Sequence, residues 1–178
     1  MFSGVTSVPP PLEPVDIRLT AWMARHGVTL ARLSLGIIFF WFGVIKFIPG
    51  WSPAAGIAAA TVQRMTGGLI APGHALLILA TWEVLIGLGL LTGRALRVTL
   101  LLLFVQMLGT LLPLLLFPGE TWTVFPFAPT LEGQYIIKNL VLISAAIVIG
   151  ATVRGGKMVA DPVAAARAKG QEEDLGSD

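Results

Sequence analysis

Four runs of about twenty consecutive apolar residues decide what this chain can fold into. They cover about 28–48, 74–92, 96–117 and 135–153. A helix rises 1.5 Å per residue and the hydrocarbon core of a bilayer is about 30 Å thick, so each run is long enough to cross a membrane once. Together they occupy nearly half of the 178 residues, and only 12% of the chain is charged against 55% hydrophobic. Soluble domains carry about 25% charged residues. A water-soluble globule, a coiled coil and a disordered chain are thereby excluded. The sequence predicts an all-α membrane protein, an antiparallel bundle of four transmembrane helices.

The basic residues set its orientation. Arg18, Arg25, Arg32, Arg94, Arg97, Arg154, Lys157, Arg167 and Lys169 fall on one side of the predicted spans, and Lys46, Arg64 and Lys138 on the other. The positive-inside rule then places both termini and the tight 92–95 turn in the cytoplasm (N-in, C-in). Basic residues scattered beside spans are no nucleic-acid footprint. The Pro-rich stretch PPPLEP before the first apolar run does not read as a cleaved signal peptide, and residues 1–14 are expected to be a flexible lead-in. The transmembrane domain is expected over 15–156. Within it, DIRLTAWMARH at 16–26 reads as an amphipathic surface helix, with Leu19, Trp22 and Met23 on one face and Arg18 and Arg25 snorkelling. The tail from 157 to 178 ends in an acidic, polar stretch that is expected to be disordered.

The two outward loops, 49–73 and 118–134, are more than linkers. PAAGIAAATVQRM, closed by Gly67 and Gly68, has the length and propensity of a short helix. FPGETWTVFPFAPT is expected to form a re-entrant or surface-lying cap. Trp51, Trp122, Phe125 and Phe127 suit the membrane interface, where aromatic rings prefer to sit.

Ionisable side chains inside spans are costly and mark either internal pairs or sites. Glu83 lies about 13 Å down the second run, near the bilayer midplane, and Gln106 lies near the middle of the third. Lys46 and Lys138 sit about 8–9 Å closer to the outer surface than Glu83, a gap that a lysine stem largely covers. Three arrangements fit this set. Glu83 and one lysine form a structural pair that fixes helix register. Glu83, Lys46 and Lys138 form the polar end of a pocket for a quinone or similar head group. Or the lysines snorkel to the interface and Glu83 keeps its proton. Gln106 suits interhelical hydrogen bonding. His26 and His74 fall on opposite sides in this topology and cannot share a metal. The chain has no cysteine, which excludes disulfides, thiol chemistry and Cys-ligated metal sites.

Three segments, ARLSLGIIFFWFGVIKF, TWEVLIGLGLLTGR and GQYIIKNLVLISAAIVIGA, resemble the DoxX-like family of small four-span bacterial membrane proteins over about 30–155. The matching residues are Arg32, Gly36, Gly43 and Lys46, then Glu83, Gly87 and Leu90, then Gly133, Tyr135, Lys138 and Asn139. In a related-looking group with an FxxxGxxKF pattern the fourth-span motif takes Asp or Asn; here it reads YIIKNL, with Asn139.

The resemblance implies a multi-pass protein of the bacterial cytoplasmic (inner) membrane. One branch of the family, DoxD, is the membrane subunit of a thiosulfate:quinone oxidoreductase. By that likeness the chain is expected to be a subunit of a quinone-linked membrane oxidoreductase. Glu83 would be the proton donor or acceptor. Lys46, Lys138, Gln106, Tyr135 and Asn139 would line the quinone or substrate site. A quinone is the expected cofactor, with no metal or covalent group, and a protein partner subunit is expected in the bilayer. The alternative is a non-catalytic accessory subunit of a larger membrane complex. The third run favours that, since 98–119 carries no charge and is apolar nearly all round. A small-molecule transporter is a third reading, weakened by the absence of an inverted repeat.

Overall fold

A computed structural model describes residues 12–161, 163 and 164. Residues 1–11 of the expected lead-in and the tail from 165 onward lie outside the described residues. The chain is mostly helical: α1 (Glu13–Lys46), α2 (Ala55–Met65), α3 (Pro72–Thr92), α4 (Leu96–Leu111), α5 (Pro113–Leu116), α6 (Pro118–Thr121) and α7 (Leu131–Ala151), with strands β1 (Trp122–Val124) and β2 (Ala128–Pro129). Four helical stretches are long and apolar enough to cross a membrane: α1, α3, α4 with α5, and α7. The chain divides into two compact units, Ala31–Val153 and the residues flanking that stretch.

In the flanking unit, helix α1 begins at Glu13, so the last two residues of the expected lead-in are helical. Pro14 is tolerated in a first turn, where its missing N–H has no acceptor to meet, and Glu13 and Asp16 complement the positive end of the helix. The expected surface helix at 16–26 is part of this same continuous helix. Its Trp22 and His26 rings, one turn apart, lie 5.3 Å from each other.

Inside Ala31–Val153, small residues set the helix contacts. Gly36 faces Leu91, Gly87 faces Phe40 and Gly43 faces Val84. One number falls as the other rises, so α1 and α3 run antiparallel. A Cβ on Gly87 would lie 2.7 Å from Phe40 Cα, and one on Gly43 2.8 Å from Val84 N, so both positions need the absence of a side chain. Helix α4 returns along α3 after a turn in which Gly93 (φ 70°) and Ala95 (φ 49°) both adopt left-handed backbone. Gly150 of α7 lies against Leu100 of α4.

The third apolar run is not one uninterrupted helix. Pro113 has no N–H to give to the Gly109 carbonyl, which takes the Leu112 N–H at 3.3 Å instead, and the helix restarts as α5. The cap at 118–134 departs from an all-α chain. Trp122 pairs with Pro129 and Val124 with Ala128 in a small antiparallel hairpin, because three prolines and β-branched residues in this stretch cannot sustain a helix. Helix α7 starts at Leu131, four residues before the apolar run expected from 135, because Thr130 caps it: its Oγ1 accepts from Gly133 N at 3.2 Å. Helix α2 occupies the stretch expected to be a short helix, and Gly67 and Gly68, both with positive φ, close it. The Gly68 N–H donates to Gln63 O at 2.8 Å.

The core joins Leu35 and Phe39 of α1, Ala80, Ile86 and Leu90 of α3, Leu103 and Met107 of α4, and Ala146 and Ile149 of α7. The outside is as apolar as the inside. Trp41, Leu101, Leu108 and Val141 are each more than 60% exposed. Water does not favour such a surface, whereas lipid tails do. The chain is a multi-pass membrane protein by the length and composition of these helices.

Candidate functional site

Lys46 is the last residue of α1, where a cation is favoured by the negative end of the helix. Its Nζ donates to the Phe42 carbonyl at 3.2 Å and to Glu83 Oε2 at 2.6 Å. Glu83 projects from the face of α3 that also carries Ala80 and Gly87, and so it points toward α1. Gln106 projects from α4, and its Nε2 donates to Glu83 Oε1 at 3.1 Å. Three helices thus meet at one carboxylate, each oxygen of which accepts one hydrogen bond. The site is nearly closed: the Lys46 and Glu83 side chains are 8% and 13% exposed. Among the described residues this is the one ion pair.

Of the residues singled out from the sequence, the structure brings together Lys46, Glu83 and Gln106. It does not bring Lys138, Tyr135 and Asn139 to them. Lys138 and Tyr135 are exposed on α7, where the ammonium lies 5.0 Å from the centre of the tyrosine ring. Asn139 is half-buried on the same helix. The lysine that reaches Glu83 is therefore Lys46, and Lys138 lies over the ring of Tyr135 on its own helix. His74 is exposed at the start of α3.

Two residues acquire a role that the sequence reading did not give them. Trp82, beside Glu83, donates its indole N–H to Leu102 O at 3.1 Å. That carbonyl lies one helical turn before Gln106, so the bond ties α3 to the turn of α4 that carries the amide. The TWE triplet was the available signal. Arg32 donates through Nη1 to the carbonyls of Leu90 and Leu91, the latter at 3.3 Å, in the last turn of α3. It satisfies carbonyls that a helix end leaves without an intrahelical partner. An arginine inside an apolar run was the available signal.

A shallow apolar groove of about 380 Å³ runs along α3 and α4, lined by Leu77, Ile78, Thr81, Trp82, Leu85 and Leu102. Lys46, Glu83 and Gln106 are not among its walls. Its two polar groups are both satisfied within the chain, Thr81 Oγ1 by Leu77 O and Trp82 Nε1 by Leu102 O.

No family model matches the chain, and neither a curated protein nor a solved structure shows significant similarity to it.

Proposed function

We propose that this is a DoxX-type integral membrane protein, a subunit of a quinone-linked oxidoreductase of the bacterial cytoplasmic membrane. In this reading its four apolar helices form an antiparallel bundle with both termini inside. The observation that carries the reading is the Lys46–Glu83–Gln106 cluster, a charged hydrogen-bonded centre inside otherwise apolar helices. Intramembrane ionisable groups of this kind mark functional sites by default.

The donor set fits a quinone head group. An ammonium carries three N–H donors, and among the described residues Lys46 Nζ uses two, on Phe42 O and Glu83 Oε2. The Gln106 amide carries two N–H donors and uses one, on Glu83 Oε1. One donor on each remains for a carbonyl oxygen. A bound quinone supplies the electron-carrying chemistry. The chain's own part is to bind and orient the head group through Lys46 and Gln106, and to hold a proton at the Glu83 carboxylate.

Native mass spectrometry after gentle extraction tests this. The wild type is expected to retain a quinone. Lys46→Ala and Glu83→Ala are expected to lose it, and Lys138→Ala to keep it. Glu83→Gln is expected to abolish quinone-linked turnover while membrane insertion stays intact. Equal retention by all variants, or none by the wild type, refutes the reading.

One observation favours the second reading, a non-catalytic accessory subunit in which the cluster only fixes helix register. Both Glu83 oxygens already accept hydrogen bonds within the chain. A stoichiometric complex with another membrane protein, with no quinone on this chain, is the outcome that supports it.

A further inference from the structure

The end of the helices opposite Lys46 carries three arginines that no carboxylate among the described residues pairs with. Arg32 reaches the last turn of α3, and its guanidinium packs against Gly93, where a Cβ would lie 2.9 Å from Nη1. Arg94 follows in the turn, and Arg97 stands in the first turn of α4. None of the three forms an ion pair among the described residues. A guanidinium has five N–H donors in a fork that matches phosphate oxygens. Only Nη1 of Arg32 is engaged within the described chain, by main-chain carbonyls, which leaves Nε and Nη2 without an acceptor there. Arg94 and Arg97 are exposed. The same turn presents the start of α4, whose N-cap, Ala95, has no side-chain acceptor for the first N–H groups of that sixteen-residue helix.

We propose that this turn is a binding site for the phosphodiester head group of an anionic phospholipid, with Arg32, Arg94 and Arg97 as its cationic walls. The source of the phosphate follows from topology. Gly93–Ala95 joins α3 to the α4–α5 stretch, each long enough to cross a bilayer, which puts the turn at the depth of the lipid head groups. Basic pockets between membrane helices suit such head groups, and each nearby Lys or Arg contributes about 1 kcal/mol, or about five-fold in affinity. The site is independent of the quinone reading, because it shares no residue with the Lys46–Glu83–Gln106 cluster.

The test uses delipidated full-length protein in a neutral detergent, offered equal amounts of phosphatidylglycerol and phosphatidylcholine and read by native mass spectrometry. The wild type is expected to retain phosphatidylglycerol preferentially. Arg94→Gln and Arg97→Gln are each expected to cut that preference by about five-fold. Both residues are exposed, so both variants are expected to fold, which unchanged helical circular dichroism checks. Arg64→Gln on α2, at the other end of α3, is expected to leave the preference unchanged, because Arg64 is also exposed but remote from the turn. The proposal is overturned by a wild type that does not discriminate between the lipids. It is equally overturned by an Arg64→Gln loss as large as that of Arg94→Gln, which reduces the effect to overall charge. Full displacement of the lipid by millimolar inorganic phosphate also overturns it, since the site would then serve the free anion.

Discussion

Replacing Lys46 and Glu83 singly and together by methionine separates an ion pair from two independent polar contacts. Both side chains are almost fully enclosed, at 8% and 13% exposure, and their charged atoms are 2.6 Å apart. Removing one partner of a buried pair costs about 3–5 kcal/mol, because the survivor is left charged in a low-dielectric setting. Here each survivor keeps one hydrogen bond: Glu83 to Gln106, and Lys46 to the Phe42 carbonyl. Each such bond offsets about 1 kcal/mol, which leaves about 2–4 kcal/mol for either single variant. The double variant removes both charges and leaves only the Gln106 amide and the Phe42 carbonyl to find new partners. It is therefore expected to be no less stable than either single. Reversible unfolding in mixed micelles of increasing SDS content measures all four corners of the cycle. Polar contacts between membrane helices average about 0.6 kcal/mol in such cycles. A coupling near that value, or a double variant whose loss equals the two single losses added, refutes the enclosed ion pair.

Two further substitutions test how the helices are held. Gly87→Ala places a methyl group 2.7 Å from Phe40 Cα, so α1 and α3 must separate, at a cost of about 1–3 kcal/mol in the same unfolding assay. Gly73→Ala serves as its control, since a Cβ there meets nothing within 4 Å, and no loss is expected. Trp82→Phe keeps the ring and removes the N–H that bonds Leu102 O; a loss of about 0.6–1 kcal/mol is expected, and none would mean the bond does not hold α4 in place.

The existence of the spans was readable because apolar length is a direct consequence of bilayer thickness. The partner of Glu83 was half readable. Depth along the helix follows from residue number, which is why both lysines qualified. Rotation about the helix axis does not follow from hydropathy where exposed and buried residues are equally apolar, as Val141 and Ile147 are beside Ala146 and Ile149 in α7. Residue size carries the missing phase. In α3, Ala80, Glu83, Gly87 and Leu90 lie three and four residues apart on one face, so the small residues already mark Glu83 as facing a neighbour. In α7 the buried residues are Gly133, Ile136, Ala146 and Ile149. Lys138 lies two positions from Ile136, about 200° around the helix, and so falls outside the face that Gly133 and Ile136 bury in the same half of α7. The acceptors of Arg32 and Trp82, which sequence reading missed, have a different explanation. Arg32 and Trp82 bond main-chain carbonyls, and a carbonyl is present at every position, so no residue type announces the acceptor. In a chain whose lipid-facing and buried surfaces are equally apolar, close approach of backbones does the sorting that polarity does in water. A polar side chain in phase with the small residues is turned inward to a partner, as Glu83 is, and one out of phase is turned outward, as Lys138 is.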